Sequence, residues 1–196
     1  MHMHEKQHIE RALRTHAWRR TAKIILWLGV IALAGYGVYY LARGEAPAGP
    51  DLSRAVEIAG ETHVAEGTVV TTYNSNPPTS GDHYATPARI GFYERELPDE
   101  RIVHNLEHGD VWISYRPGIP QEAVEQLRAF TKDIKVIVTP RSKNETDIAL
   151  AAWGRLDAFN LESGTVDAER IRGFILRYRN RGPEQVINSG DHLPQE

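Results

Sequence analysis

Residues 98–115 read Pro-Asp-Glu-Arg-Ile-Val-His-Asn-Leu-Glu-His-Gly-Asp-Val-Trp-Ile-Ser-Tyr, and here a helical period gives way to an extended one. Pro98 suits the start of a helix, because the donor it lacks would have no partner in a first turn. Asp99 and Glu100 follow it and favour the positive end of the helix dipole. Ile102 and Leu106 share one helical face, and Gly109 ends the element. The spacing therefore predicts a short helix over Pro98–His108. Asp110–Tyr115 then reads as a strand, closed by Pro117-Gly118.

Downstream the same alternation continues. Pro120–Lys132 is amphipathic, with Ala123, Val124, Leu127 and Phe130 on one face. Ile134–Thr139 (Ile-Lys-Val-Ile-Val-Thr) reads as a buried strand ending at Pro140. Ile148–Leu156 reads as another strand, interrupted by Gly154. Asp167–Arg179 predicts a further helix with Ile171, Phe174, Ile175 and Tyr178 inward. Upstream, Val56–Ile58 and Thr68–Tyr73 have short strand character. Between them and the first helix lies Asn74–Gly81 (Asn-Ser-Asn-Pro-Pro-Thr-Ser-Gly), a stiff loop dense in turn formers, with His83 just beyond it. Strands and helices in this order indicate an α/β or α+β fold, one small mixed-sheet sandwich domain.

Further toward the N-terminus, Ile24–Ala42 is an apolar run without a charge, about 19 residues long, enough for a helix to cross the hydrocarbon core. Trp27 lies near one end, with Tyr36, Tyr39 and Tyr40 near the other, as interfacial aromatics do. Arg11, Arg14, Arg19, Arg20 and Lys23 precede the run; Arg43, Glu45 and Asp51 follow it. That bias places the N-terminus in the cytoplasm and the C-terminal domain outside it, in a single-pass membrane protein whose partner is the bilayer at residues 24–42. A cleaved signal peptide is the competing reading, with small residues at Ala46-Pro47-Ala48. The expected organisation is a basic tail at 1–23, a span at 24–42, a linker at 43–55, an extracytoplasmic domain at 56–185 and a flexible tail at 186–196. His2, His4, His8 and His16 sit in the basic tail, where juxtamembrane charge already has a role at anionic lipid.

A formal net charge of −3 argues against a nucleic-acid partner, which requires a concentrated basic surface. The chain has no cysteine, which excludes disulfides, thiolate metal sites and cysteine nucleophiles. Histidine is the residue that carries chemistry here. On a helix, His104 and His108 lie about 40° apart, with Glu107 about 60° to the other side. All three share the face opposite Ile102 and Leu106. Imidazoles at i and i+4 make a natural bidentate grip on a metal. His63 and His83 are the only other histidines of the domain before its tail. The four histidines together suggest a zinc or copper site, because neutral imidazole suits zinc and copper(II). Copper(I) suits it less, since the only methionines are Met1 and Met3, across the membrane. Glu107 would be a ligand, an orienting group or a general base.

Two other readings stand beside this one. His104-Asn-Leu-Glu107-His108 fits the H-x-x-E-H pattern of a metal-dependent hydrolase, with Glu107 activating water. Alternatively the histidines are scattered and the domain is a metal-free interaction module of the envelope. Asp82, Asn74, Ser75, Asn76, Thr79 and Ser80 near His83 fit ordinary turn chemistry or support of a ligand. No G-x-S-x-G elbow and no phosphate-cradling glycine loop is present.

Asn74–Tyr84 and Val103–Tyr115 resemble the bacterial domain of unknown function 3105 family. The resemblance extends to His63, Gly91, Tyr93, Ala152–Gly154 and the Tyr-Arg-Asn-Arg-Gly-Pro-Glu of Tyr178–Glu184, about two thirds of the chain. It implies an N-terminal membrane segment and no particular activity. Where the family's loop usually has proline this chain has Asp82, a carboxylate beside His83.

Overall fold

The computed structural model describes residues 2–42, 46–133, 135–184 and 186, with side chains in the first helix described at 18 and 21–40. The side chains of His2, His4, His8 and His16, the linker residues 43–45, Ile134, and the tail at 185 and 187–196 lie outside the described residues. The chain forms two units, Met1–Ala46 and Pro47–Glu196.

The first unit is one helix, α1 (His2–Ala42), so the basic head is helical and continuous with the apolar run. Thr21–Tyr40 is long and apolar enough to cross a membrane, and none of that window is buried within the chain. Ile25, Leu26, Trp27, Leu33 and Tyr40 are all exposed. A helix apolar on every side has the length and composition of a membrane anchor. An N-terminal signal sequence meets the same length and composition.

The second unit contains β1 (Arg54–Ala55), β2 (His63–Val64), β3 (His83–Tyr84), β4 (Gly91–Phe92), α2 (Asp99–Glu107) and β5 (Val111–Tyr115). There follow α3 (Gln121–Arg128), a 3-10 turn (Ala129–Lys132), β6 (Val136–Pro140), β7 (Ile148–Ala152), β8 (Arg155–Phe159) and α4 (Ala168–Tyr178). Six strands form a mixed sheet in the order β1-β8-β7-β5-β6-β4. β4 and β5 run parallel to β6, whereas β7 runs antiparallel to β5 and β8 antiparallel to β7.

Pleating sends alternate residues of the central strands to opposite faces. Val111, Ile113, Val136, Val138, Ile148 and Leu150 pack with α3 and α4 through Leu127, Ile171, Phe174 and Ile175. Trp112, Ile137 and Ala151 point the other way and pack with Ile102 and Leu106 of α2. The sheet is thus covered on both faces, which explains why its central strands read as continuous apolar runs.

The expected helices and central strands are present, with some changes at their limits. The run expected as one interrupted strand is a hairpin, β7 and β8, turning at Trp153-Gly154. Gly154 has φ +66°, a conformation that disfavours any side chain. Val56–Ile58 and Thr68–Tyr73 are not strands; the strand near the former is β1, and 68–73 is irregular.

Candidate metal centre

The site side of α2 faces a second, two-stranded sheet. β2 and β3 pair in parallel with His63 opposite His83. Residues paired across a sheet point to the same face, so the pairing alone places these two imidazoles side by side. The register is fixed by His83 N–H donating to Thr62 O at 3.0 Å and Gly81 N–H donating to Gly60 O at 2.9 Å. Ser80 Oγ accepts from Ala59 N–H at 2.9 Å, and the Tyr73 hydroxyl donates to Asp82 O at 2.9 Å. The stiff loop is therefore tied to the strand on its other side by ordinary turn chemistry.

The same loop is pinned to the start of α2 by Arg141, at the end of β6. Its guanidinium is bidentate to Asp99, with Nε and Nη2 each 2.8 Å from a carboxylate oxygen. Nη1 donates to Asn76 Oδ1 at 2.6 Å. All of this is buried or nearly so, which makes it a geometric clamp rather than a surface ion pair. At the other end of α2, Lys135 donates to the carbonyl of the capping residue, with Nζ 2.6 Å from His108 O and 3.7 Å from Asp110 Oδ1. Lys135 does this with φ +65°, unusual for a side-chain-bearing residue, and is itself only 4% exposed.

Between these anchors the imidazoles converge. The His63, His83 and His104 ring centroids are 5.0 to 5.1 Å apart. His83 Nδ1 donates to Gly81 O at 2.7 Å, and His104 Nδ1 donates to Tyr84 O at 2.8 Å. A carbonyl only accepts, so both rings carry their proton on Nδ1 and, when neutral, turn an Nε2 lone pair toward the cluster. His104 is neutral over ordinary pH: burial above all, and then the neighbouring His108, push its pKa down to about 4, against the opposing hydrogen bond to Tyr84. His83 Nε2 lies 3.1 Å from Glu107 Oε2, and His63 Nε2 lies 3.7 Å from the same oxygen. One ligand atom each from His63, His83, His104 and Glu107 falls within 4.8 Å of all the others. Two ligands on one zinc ion lie at most about 4.2 Å apart, so a small inward movement would bring the set to bonding distance. His63, with its side chain 48% exposed, is the member free to move and forms the open side.

His108 stands at the edge of this group. Its ring centroid is 4.4 Å from that of His104, and the two Nε2 atoms are 3.0 Å apart. It joins Glu107 and Glu184 in a second set of ligand atoms within 4.8 Å of one another. Glu184 was not among the residues the sequence pointed to. It arrives because the chain after α4 doubles back along the end of α2, with Asn180 N–H donating to Gly109 O at 2.7 Å and Glu184 N–H to Glu107 O at 3.1 Å. Gly182 makes this approach possible: a Cβ there would meet Glu107 O at 2.0 Å. Asp82, the carboxylate beside His83, belongs to neither set of ligand atoms.

No curated protein and no solved structure matches the chain. A family model described as Protein of unknown function (DUF3105) matches residues 63–190, which run from the first histidine of the cluster past Glu184. The matched segment is more than half of the chain and contains every residue of both ligand sets; the chain belongs to the DUF3105 family.

Proposed function

We propose that this protein is anchored in a membrane by α1 and that its outer domain binds a divalent transition-metal ion, zinc or copper(II), on His63, His83, His104 and Glu107. The observation that carries the reading is the pair of carbonyl-locked imidazoles. His83 and His104 each spend Nδ1 on a backbone carbonyl and aim Nε2 into the cluster. Backbone carbonyls holding the distal nitrogen are the usual outer support of metal-bound histidine. Without a cation, two acceptors, the lone pair of a neutral His83 Nε2 and the carboxylate oxygen Glu107 Oε2, would face each other at 3.1 Å unless a proton were held between them. A metal ion relieves that opposition for all four groups at once.

Three imidazoles and one carboxylate suit zinc or copper(II), and no thiolate is available to select copper(I). Glu107 acts here as a ligand, because its Oε2 sits among the imidazole nitrogens and not apart from them. That supports a role in metal handling or structure over hydrolysis with Glu107 as base. The Lys/Arg excess before the span supports a cytoplasmic N-terminus, and the bilayer is the partner this topology supplies.

The test is zinc and copper(II) titration of the full chain in detergent, with His2, His4, His8, His16 and His192 changed to Gln to remove competing ligands. Binding that disappears in the His83→Ala/His104→Ala double variant supports the reading. No binding, or binding indifferent to that double change, overturns it.

A further inference from the structure

We infer that the centre has two cation seats, the second formed by Glu107, His108 and Glu184, with Glu107 shared between them. This rests on the first seat being a metal site. The four groups of that seat already supply as many ligands as a tetrahedral site takes, yet the imidazole of His108 faces the same region from the next helical turn. Its Nε2 is 3.0 Å from His104 Nε2 and 3.3 Å from Glu184 Oε2.

Glu184 is held there by its own backbone. Its N–H donates to Glu107 O at 3.1 Å, so the residue that supplies the shared carboxylate also docks the segment bearing the second one. Gly182, which admits no Cβ at this approach, keeps the two segments in contact. Lys135 fixes His108 from behind through the His108 carbonyl.

The two seats differ in kind. In the first, two imidazoles have carbonyl partners at Nδ1; in the second, His108 Nδ1 is buried and has no hydrogen-bond partner among the described residues. The first draws on His83, Glu107 and His104, all buried, whereas the second ends on a Glu184 side chain that is 59% exposed. Fewer ligands, a less oriented imidazole and a solvated carboxylate make the second seat the weaker and the more open. Two ions sharing a carboxylate are about 3.5–4 Å apart, and the charge of Glu184 offsets part of their repulsion. Three protein ligands leave a coordination position for water or an anionic oxygen.

The experiment is zinc titration of the full chain, with His2, His4, His8, His16 and His192 changed to Gln in every protein compared, bound metal counted by elemental analysis, followed by electron paramagnetic resonance of the copper(II)-loaded protein. This parent chain takes up two ions in a tight and a weak step, and two copper(II) ions give a coupled signal. Glu184→Gln removes the weak step and the coupling and leaves the tight step unchanged. A single ion whose binding ignores Glu184→Gln overturns the second seat while the first stands. A single ion whose affinity falls in Glu184→Gln makes Glu184 a ligand of the first seat and also overturns the proposal. No bound ion overturns the first seat and the second together.

Discussion

Helix α2 has two faces held by different physics. One face, Ile102 and Leu106, is wholly buried against Trp112 and Ile137 of the sheet. The opposite face presents His104, Glu107 and His108 to the two-residue strands β2 and β3. Burial of apolar surface holds the first and tolerates any well-packed hydrophobe. The second is held by individual hydrogen bonds, each with one geometry. The dry face therefore sets whether the domain folds, and the polar face sets where the imidazole nitrogens point.

The two faces meet at Arg141, which clamps the loop leading to His83 onto the start of α2. Arg141→Met leaves Asp99 buried without its bidentate partner and should cost about 3–5 kcal/mol in denaturant unfolding. Metal affinity should fall with it. Unchanged stability would mean that the loop and helix are held together elsewhere. On the dry face, Leu106→Ala should cost about 2–5 kcal/mol through lost burial and a residual cavity. It should leave metal binding intact wherever the protein remains folded. His104→Ala is the counterpart on the polar face. It leaves the Tyr84 carbonyl unpaired, at about 1–3 kcal/mol in the metal-free protein, but should abolish the rise in melting temperature on adding zinc. If both substitutions lowered stability and metal binding in the same proportion, the two faces would not be separable.

The smallest expected effect is the pH dependence of the metal-free protein. His104 has its pKa held at about 4 in the fold, below the ordinary 6.5 of an unfolded chain. Between those values the unfolded chain binds the extra proton, so this contribution is complete above about pH 6.5 and is lost as pH falls toward 4. Melting temperature should decline across that window, and His104→Asn should flatten part of the decline. An unaltered slope in the variant would place the titration on another group.

The sequence was most legible where burial is periodic. α2, β5, α3, β6 and α4 each carry enough turns or alternations for the pattern to declare itself. β2, β3 and β4 have only two residues each, too short to show a period, and their pairing comes from the loop ties around His83. Thr68–Tyr73 shows the opposite failure, β-branched residues that find no sheet edge to join. At the site, His104, Glu107 and His108 were visible because i, i+3 and i+4 share a helical face. His63 and His83 were visible as the remaining histidines of the domain. Glu184 was hidden, because an acidic residue in an irregular segment resembles any surface carboxylate. The signal for it was Gly182 within Tyr178–Glu184, a glycine whose purpose is close approach. Lys135 carried a similar signal, a lysine beside an otherwise apolar strand.

The most direct measurement is X-ray absorption at the zinc edge on the full chain, with the terminal histidines changed to Gln and one zinc ion bound. Four light-atom ligands at about 2.0–2.1 Å, with the outer scattering of imidazole rings that diminishes in His83→Ala, would agree with ligation by His63, His83, His104 and Glu107. A shell of oxygen ligands without imidazole scattering, or a spectrum identical in the two proteins, would contradict it.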